Sequence, residues 1–446
     1  MASKLSTLPA VHRLLSDDDL VRAAATHGRA RVREAVRAAI AAARRRVAAG
    51  DGVPLPGDLV AETVALLAAS AAPAYPEVIN ATGVLIHTNL GRAPRLAPPL
   101  PAYLALEYDL DAGERGERLA PVVSRLNRYF GSASAMVVTN NAAALVLLLA
   151  AHAAGRDVLV SRGELIEIGG SFRLPEIMAA AGAALVEVGC TNRTHAADYE
   201  RAIGESTAGI LVAHRSNFHM DGFVTSPPIV ELAALARRRG VPLWVDQGSG
   251  CHLDLGRYGL RGEPTVRDLL AGGADAVLFS GDKLLGAPQA GIIVGSGPAI
   301  APLQRHPLRR ALRPDKAALV GLAATLDAYL TEQVERVPLY CLLAVSGDEL
   351  RRRARRLVRA LAGRGIAARA VESRAVLGGG TTPDQTLPSW AVALAGGDGF
   401  ALRLRHATPP VVGRVDEGMV LLDLRAVFPE QDRALLAAVV SVAEVS

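Results

Sequence analysis

Short apolar runs recur through the middle of the chain, each closed by small or polar residues and most followed by a helical pattern. They are Ala135–Val138, Val158–Ser161, Ala184–Val188, Gly209–Ala213, Val241–Val245 and Ala276–Phe279, with a further run at Ile292–Val294. The segments Ala142–Ala154, Pro175–Ala181, Asp198–Ile203 and Pro228–Arg239 between them have helical patterning. Repeated strand–helix units bury their apolar surfaces as a mostly parallel sheet with helices on both faces. Open α/β sheets gather ligand chemistry at the carboxyl ends of their strands. The residues just after each run are therefore where a site is expected.

The run Ala276–Phe279 leads into Ser280-Gly281-Asp282-Lys283-Leu284-Leu285-Gly286 and on to Gly291. A lysine just past a buried strand, with a serine three places before it and glycines after it, suits the Schiff-base lysine of a pyridoxal-phosphate enzyme. The amine must reach the cofactor aldehyde, and glycines let the backbone pass close by. Ser280 can serve the cofactor phosphate. The same spacing also fits a solvated lysine in a glycine-rich turn, so the neighbouring segments decide. Asp246 ends the preceding apolar run, ahead of Gly248-Ser249-Gly250, and can pair with a pyridinium nitrogen to keep it protonated. His214-Arg215-Ser216-Asn217 follows the run before that, and Asn217 can donate to the phenolic oxygen. Each of these residues alone could simply cap a helix or turn; three in order, each after a strand, point to one cofactor.

Thr139-Asn140-Asn141 sits between a strand and an apolar helix. Free backbone N–H groups and the helix dipole make such a turn a phosphate cradle, although asparagine is also an ordinary helix cap. Further upstream, Arg92 lies on a loop between Gly91 and Pro94, where it can reach a phosphate or a carboxylate.

Residues 1 to about 75 read as a small helical domain. Ser16 and three aspartates start a helix, the pattern breaks near Gly28, and it resumes to about Ala49. From Arg29 to Arg46 there are seven arginines and one acid, Glu34. Arg29, Arg33 and Arg37 share a face, which is either a solvated surface or a phosphate-binding surface for RNA. A linker-like break at Asp51–Gly57 and a helix from about Asp58 to Ala71 complete the domain. At the other end, Ala367–Val371, Ala391–Ala393, Val411–Val415 and Met419–Asp423 are strand candidates of a smaller α/β domain with a final helix after Pro429. Arg414 there is read as an edge-strand surface residue rather than a cleft arginine. The domain boundaries expected are 1–75, 76–315 and 316–446.

The net charge of +5 is compatible with an acidic partner without requiring one. Three widely spaced cysteines, Cys190, Cys251 and Cys341, show no metal spacing and fit a reducing compartment. No signal-peptide core and no uncharged apolar run of the roughly 18 residues needed to span a bilayer is present. A soluble cytoplasmic protein without a membrane partner is the expectation.

The long segments Asn80–Pro94, Ser161–Arg173 and Ser280–Gly291 carry a resemblance from about Leu8 to the C-terminus. The chain resembles the bacterial selenocysteine synthase family, the L-seryl-tRNA(Sec) selenium transferases, which are fold-type I pyridoxal-phosphate enzymes. The resemblance implies that Lys283 carries pyridoxal 5'-phosphate and, once displaced by the amine of seryl-tRNA(Sec), removes the α-proton. The β-hydroxyl then leaves to give a cofactor-bound aminoacrylyl-tRNA, and selenium from selenophosphate adds to it. Asp282 is a candidate acid for departure of the hydroxyl or of phosphate. The N-terminal domain would hold the selenocysteine tRNA. Arg310 and Arg313 match family arginines thought to hold the anionic selenium donor; a surface basic turn is the plain alternative. Family members assemble as a pentamer of dimers, so a homo-oligomer, a decamer, is implied.

Some positions depart from the family pattern. Thr139 stands where an asparagine is usual, Gln247 where leucine is common, Cys251 where serine is usual, and Arg215 where a small hydroxyl residue is common. Cys251 reads as an incidental thiol. Two rival functions are a pyridoxal-phosphate lyase acting on a small amino acid or amino-sugar phosphate, and a catalytically dead RNA-binding protein. Residues 8–75 argue against the first; Lys283 and Asp246 argue against the second.

Overall fold

The computed structural model describes residues 7–71, 73, 75–96, 102–168 and 172–443. The chain divides into two compact units, Met1–Val78 and Ile79–Ser446.

In the first unit, Asp17 caps the helix Asp18–His27 by accepting from Asp19 N. Gly28, at φ 84°, ends that helix and begins Arg29–Ala48. A positive φ is readily available to glycine, which is why the helical pattern breaks there. Val32, Val36, Ile40 and Ala43 line the buried stripe of the long helix and pack with Leu59, Val60 and Leu67 of Pro56–Ala71. The arginines of Arg29–Ala48 are all exposed, on the faces this stripe leaves open, and Arg46 pairs with Glu62.

The second unit is built on two sheets. The larger has seven strands in the order Ser134–Val138, Gly291–Gly295, Ala276–Ser280, Leu243–Gly248, Thr207–Ala213, Asp157–Ser161 and Ala184–Val188. All neighbouring pairs are parallel except the two made by Gly291–Gly295, which runs antiparallel to both its neighbours. The central strands are continuous apolar runs because they are buried on both faces, as parallel sheets covered by helices are. The expected fold class, a mostly parallel α/β sheet, is the one observed.

The smaller sheet has five strands, and its first comes from ahead of the large sheet. Ile79–Ala81 pairs in parallel with Val411–Gly413. Arg414 therefore lies on an interior strand, not the edge strand expected. Its guanidinium donates to Ser373 Oγ at 2.6 Å and sits 3.8 Å from the buried Asp423. The large core also runs past residue 315. Leu319, Leu322, Leu326, Tyr329 and Leu339 belong to it, and the second core picks up from Leu350. No helix among the described residues is long and apolar enough to cross a membrane.

Candidate active site

Four of the large strands deliver their carboxyl ends to one cavity of about 190 Å³. Asp246, in register with Leu278 and Ala213, lies near the carboxyl end of the Leu243–Gly248 strand. Lys283 follows the adjacent strand Ala276–Ser280, and Asn140 and Asn141 follow Ser134–Val138. All four line the cavity with Ser280, Asp282 and Arg92. Arg92 arrives from outside this sheet. The segment after Ile79–Ala81 is hydrogen-bonded to Val376 and Leu377 through Leu85 N and Ile86 N, and Ala93 N donates to Asp282 O at 3.1 Å. Arg92 itself takes a left-handed backbone, φ 65°.

Lys283 is buried, and burial, joined by the charge of Arg92, lowers its amine pKa. Asp246, Asp282 and Glu263 pull in the opposite direction. Burial raises the pKa of Asp246, while a hydrogen bond from Asn141 Nδ2 at 2.8 Å and the Lys283 charge favour its carboxylate. Asp282 accepts from Arg92 through Oδ2 at 2.8 Å, and its Oδ1 is buried without a partner among the described residues.

The two adjacent asparagines divide the labour. Asn140 caps the helix Asn141–His152 by accepting from Ala143 N, so its own side chain closes the turn. The side chain of Asn141 turns to Asp246. Asn217 Nδ2 donates to the Glu167 carbonyl at 2.8 Å, so this amide N–H is already engaged, and Oδ1 is buried without a partner among the described residues. Arg310 and Arg313 do not join this cavity. They line a separate one of about 270 Å³ with Glu107, Arg118 and His306. Arg313 pairs with Glu107 at 3.0 Å, whereas Arg310 is exposed and makes no ion pair among the described residues.

Several cavity residues escaped the sequence reading. His214 and Ser216 line it, inside the very motif that singled out Asn217. Ile166 and Ile168 form part of its wall; Gly169–Ser171 of the same loop lie outside the described residues. Glu263 is buried 3.8 Å from His214 Nδ1 and accepts from Ser249 Oγ. Burial raises Glu263 to about 7 and lowers His214 to about 4. Nothing around Glu263 in sequence marks it, since it lies in an irregular loop. Gln247 is fully buried, and its amide accepts from Gly250 N and donates to Pro264 O and Cys251 O, holding the turn after Asp246. Cys251 is buried with its thiol pushed up to about 12, so it stays a neutral thiol. Arg215 bonds Ser226 Oγ and is not among the cavity residues.

A phosphorylated pyridine fits these surroundings. Buried Asn141 Oδ1, Asn217 Oδ1, Asp282 Oδ1 and His214 Nδ1 lack partners within the described chain. The first turn of the Asn141–His152 helix opens on the cavity through Ala142, where anions are favoured. Gly380, whose φ of 74° favours glycine, stands beside the amine, with its Cβ position 3.5 Å from Lys283 Nζ.

A profile of L-seryl-tRNA selenium transferases matches residues 78–428, and one of the selenocysteine synthase N-terminal region matches residues 5–44. The chain belongs to the L-seryl-tRNA selenium transferase family. It is 43% identical to the L-seryl-tRNA(Sec) selenium transferase of Geobacter sulfurreducens over 97% of this chain and 98% of that one. It is likewise 43% identical to that of Rhizobium meliloti over 96% of each. Among solved structures, a D-glucosaminate-6-phosphate ammonia-lyase aligns with TM-score 0.57 at 21% identity, covering 83% of this chain and 96% of that one. That likeness concerns the fold. Family membership and the fold together make pyridoxal phosphate the cofactor, and the enzyme is a transferase of fold type I.

Proposed function

We propose that the protein converts L-seryl-tRNA(Sec) to L-selenocysteinyl-tRNA(Sec) with selenophosphate as selenium donor, a step of selenocysteine biosynthesis. The observation that carries this reading is the buried Lys283 amine beside Asp246 and Asp282, in a chain 43% identical to curated selenium transferases over nearly its whole length. The lyase alternative is not favoured, since the ammonia-lyase is related in fold at only 21% identity.

When bound, pyridoxal phosphate supplies an electron sink for a carbanion adjacent to an amino group. Lys283, with its proton affinity lowered, is the base that takes the α-proton of the seryl group. Asp246, oriented by Asn141, would accept the ring N–H and hold that proton in place. The phosphate would be held by the free backbone N–H groups at the start of the Asn141–His152 helix, in the turn that the Asn140 side chain caps, with Ser280 close by. Asn217, which like Lys283 lies beside Gly380, would serve the phenolic oxygen. Asp282, steadied by Arg92, assists departure of the β-hydroxyl or of phosphate. Arg92, Arg310 and Arg313 bind substrate anions, the last two from their own cavity.

The arginine-bearing unit at the N-terminus holds the tRNA through phosphate contacts, so binding weakens as salt rises. The protein acts in the cytoplasm as a homo-oligomer. The test is direct: purified protein, seryl-tRNA(Sec) and selenophosphate should yield selenocysteinyl-tRNA, and Lys283→Ala should abolish both product and the visible absorbance of bound cofactor. Absence of product from the wild-type protein, with cofactor bound, overturns the proposal.

A further inference from the structure

The Lys283 loop rests on a buried cluster of hydroxyls and an imidazole that the reaction does not use directly. Tyr340 Oη donates to the Leu284 carbonyl at 2.6 Å, and Tyr329 Oη donates to the Leu285 carbonyl at 2.6 Å. These are the two carbonyls that follow Lys283. Tyr340 Oη also lies 2.9 Å from His252 Nε2. Its one proton is already directed to Leu284, so the imidazole must be the donor in that contact. His252 Nδ1 is then bare and accepts from Tyr129 Oη at 2.7 Å. The network admits one direction only, Tyr129 to His252 to Tyr340 to the Leu284 carbonyl, with His252 neutral and protonated at Nε2.

The same structure ties this loop to the turn after Asp246. Leu284 N donates to Ser249 O at 2.9 Å, and His252 lies three residues beyond Ser249. Gly286, at φ 64°, lets the loop pass Val337, whose Cγ1 a Cβ would meet at 2.6 Å. An apolar core would be satisfied by phenylalanines here, as it is nearby at Phe130 and Phe279. Buried hydroxyls and an imidazole are costly unless each is paired, and this set is paired in a chain ending on the backbone of the lysine loop.

We propose that Tyr129, His252 and Tyr340 are positioning residues, whose one-way hydrogen-bond chain fixes the Leu284 carbonyl and thereby the reach of Lys283 relative to Asp246. The inference rests on the reading of Lys283 as the cofactor lysine. Burial lowers the His252 pKa to about 3, in keeping with a neutral ring. The titratable and charged groups acting on His252 and its partners are Tyr129, Tyr258, Tyr329, Tyr340, Cys251 and Arg267; those acting on Lys283 are Arg92, Asp246, Asp282 and Glu263.

Tyr340→Phe removes one hydroxyl and keeps the ring. Three measurements apply to the holoenzyme: thermal unfolding, visible absorbance of bound pyridoxal phosphate titrated against pH without substrate, and steady-state kinetics. The expected result is a midpoint displaced by about half a pH unit or more and kcat lowered about tenfold, with KM for seryl-tRNA(Sec) unchanged. His252→Gln, which keeps a donor and an acceptor, should retain more of both than His252→Phe. Should Tyr340→Phe fail to fold, Tyr129→Phe and His252→Gln carry the same comparison. A folded variant with wild-type midpoint and wild-type kcat overturns the inference, even if its melting temperature falls. If Lys283→Ala keeps the wild-type absorbance and its titration, the reading of Lys283 fails, and the inference with it.

Discussion

Arg92 Nη1 lies 2.8 Å from Asp282 Oδ2, joining two segments 190 residues apart next to Lys283. The two charges act on the lysine in opposite senses: Arg92 lowers its proton affinity and Asp282 raises it. Removing either partner should therefore move the pH dependence in opposite directions. Arg92→Ala should raise the pKa of Lys283 and shift the acid limb of kcat/KM to higher pH. Asp282→Asn should shift it lower. Each should also reduce the rate by at least about tenfold, the cost of ~1.4 kcal/mol at the transition state. A pH–rate profile of both variants checks the signs, and shifts in the same direction would refute the balance described.

Asn141 is predicted to act through Asp246. Its amide is the side-chain hydrogen bond that favours the Asp246 carboxylate against burial. Asn141→Ala should leave Asp246 easier to protonate and its partnership with the ring nitrogen weaker. A hydrogen bond to a charged group is worth about 1.5–3 kcal/mol, so cofactor affinity should fall on the order of tenfold to a hundredfold. Titration of apoprotein with pyridoxal phosphate measures this, and unchanged affinity would detach Asn141 from the site.

How far the sequence reveals this site depends on the kind of constraint. Lys283 and Asp246 were legible because Asp246 closes one apolar run and Lys283 stands just past another, and a run's end fixes where the site begins. The two asparagines were legible as a pair but not as individuals, because which one caps the helix is settled only by where the first turn begins. Ile79–Ala81 showed no signal as part of the small sheet, since its partner Val411–Gly413 lies hundreds of residues away and pairing at that range leaves no local periodicity. Arg310 and Arg313 were marked for the selenium donor by resemblance alone, and the fold puts them in a cavity separate from that of Lys283. Glu263 and His252 were invisible for a simpler reason. Both sit in irregular loops, where no spacing rule assigns a face.

Gly291 is predicted to tolerate no side chain. A Cβ there would stand 2.0 Å from the Asn140 carbonyl oxygen and 2.9 Å from Val138 Cγ2. Both contacts belong to the strand and cap that form the expected phosphate end of the cavity. Gly291→Ala should destabilise the fold by about 1–3 kcal/mol or more, as overpacking against backbone does, and weaken cofactor binding in whatever remains folded. Denaturant unfolding with and without pyridoxal phosphate separates the two effects; wild-type stability would show that the strand can shift away from the cap.

Glu164 supplies a prediction outside the reaction. Its carboxyl is buried, accepts from Ala213 N at 3.2 Å, and is raised by burial to about 8 from an ordinary 4.5. An acid whose folded pKa is raised binds its proton more tightly in the folded state. Its stabilising contribution is complete below about pH 4.5, declines as the unfolded chain ionises, and is lost once pH passes about 8. Glu164→Gln keeps an acceptor for Ala213 N and cannot ionise. The variant should therefore match the wild type near pH 5 and be more stable at pH 8, by on the order of a few kcal/mol. His214 and His252, held neutral by burial at about 4 and about 3, contribute in the opposite sense: their stabilisation is present above pH 6.5 and lost as pH falls through those values. That loss is common to wild type and variant, so it cancels when the two are compared at each pH. Denaturant unfolding across pH 5–8 makes the measurement, and a constant difference between the two proteins over that range would show that Glu164 is ionised in the folded state throughout.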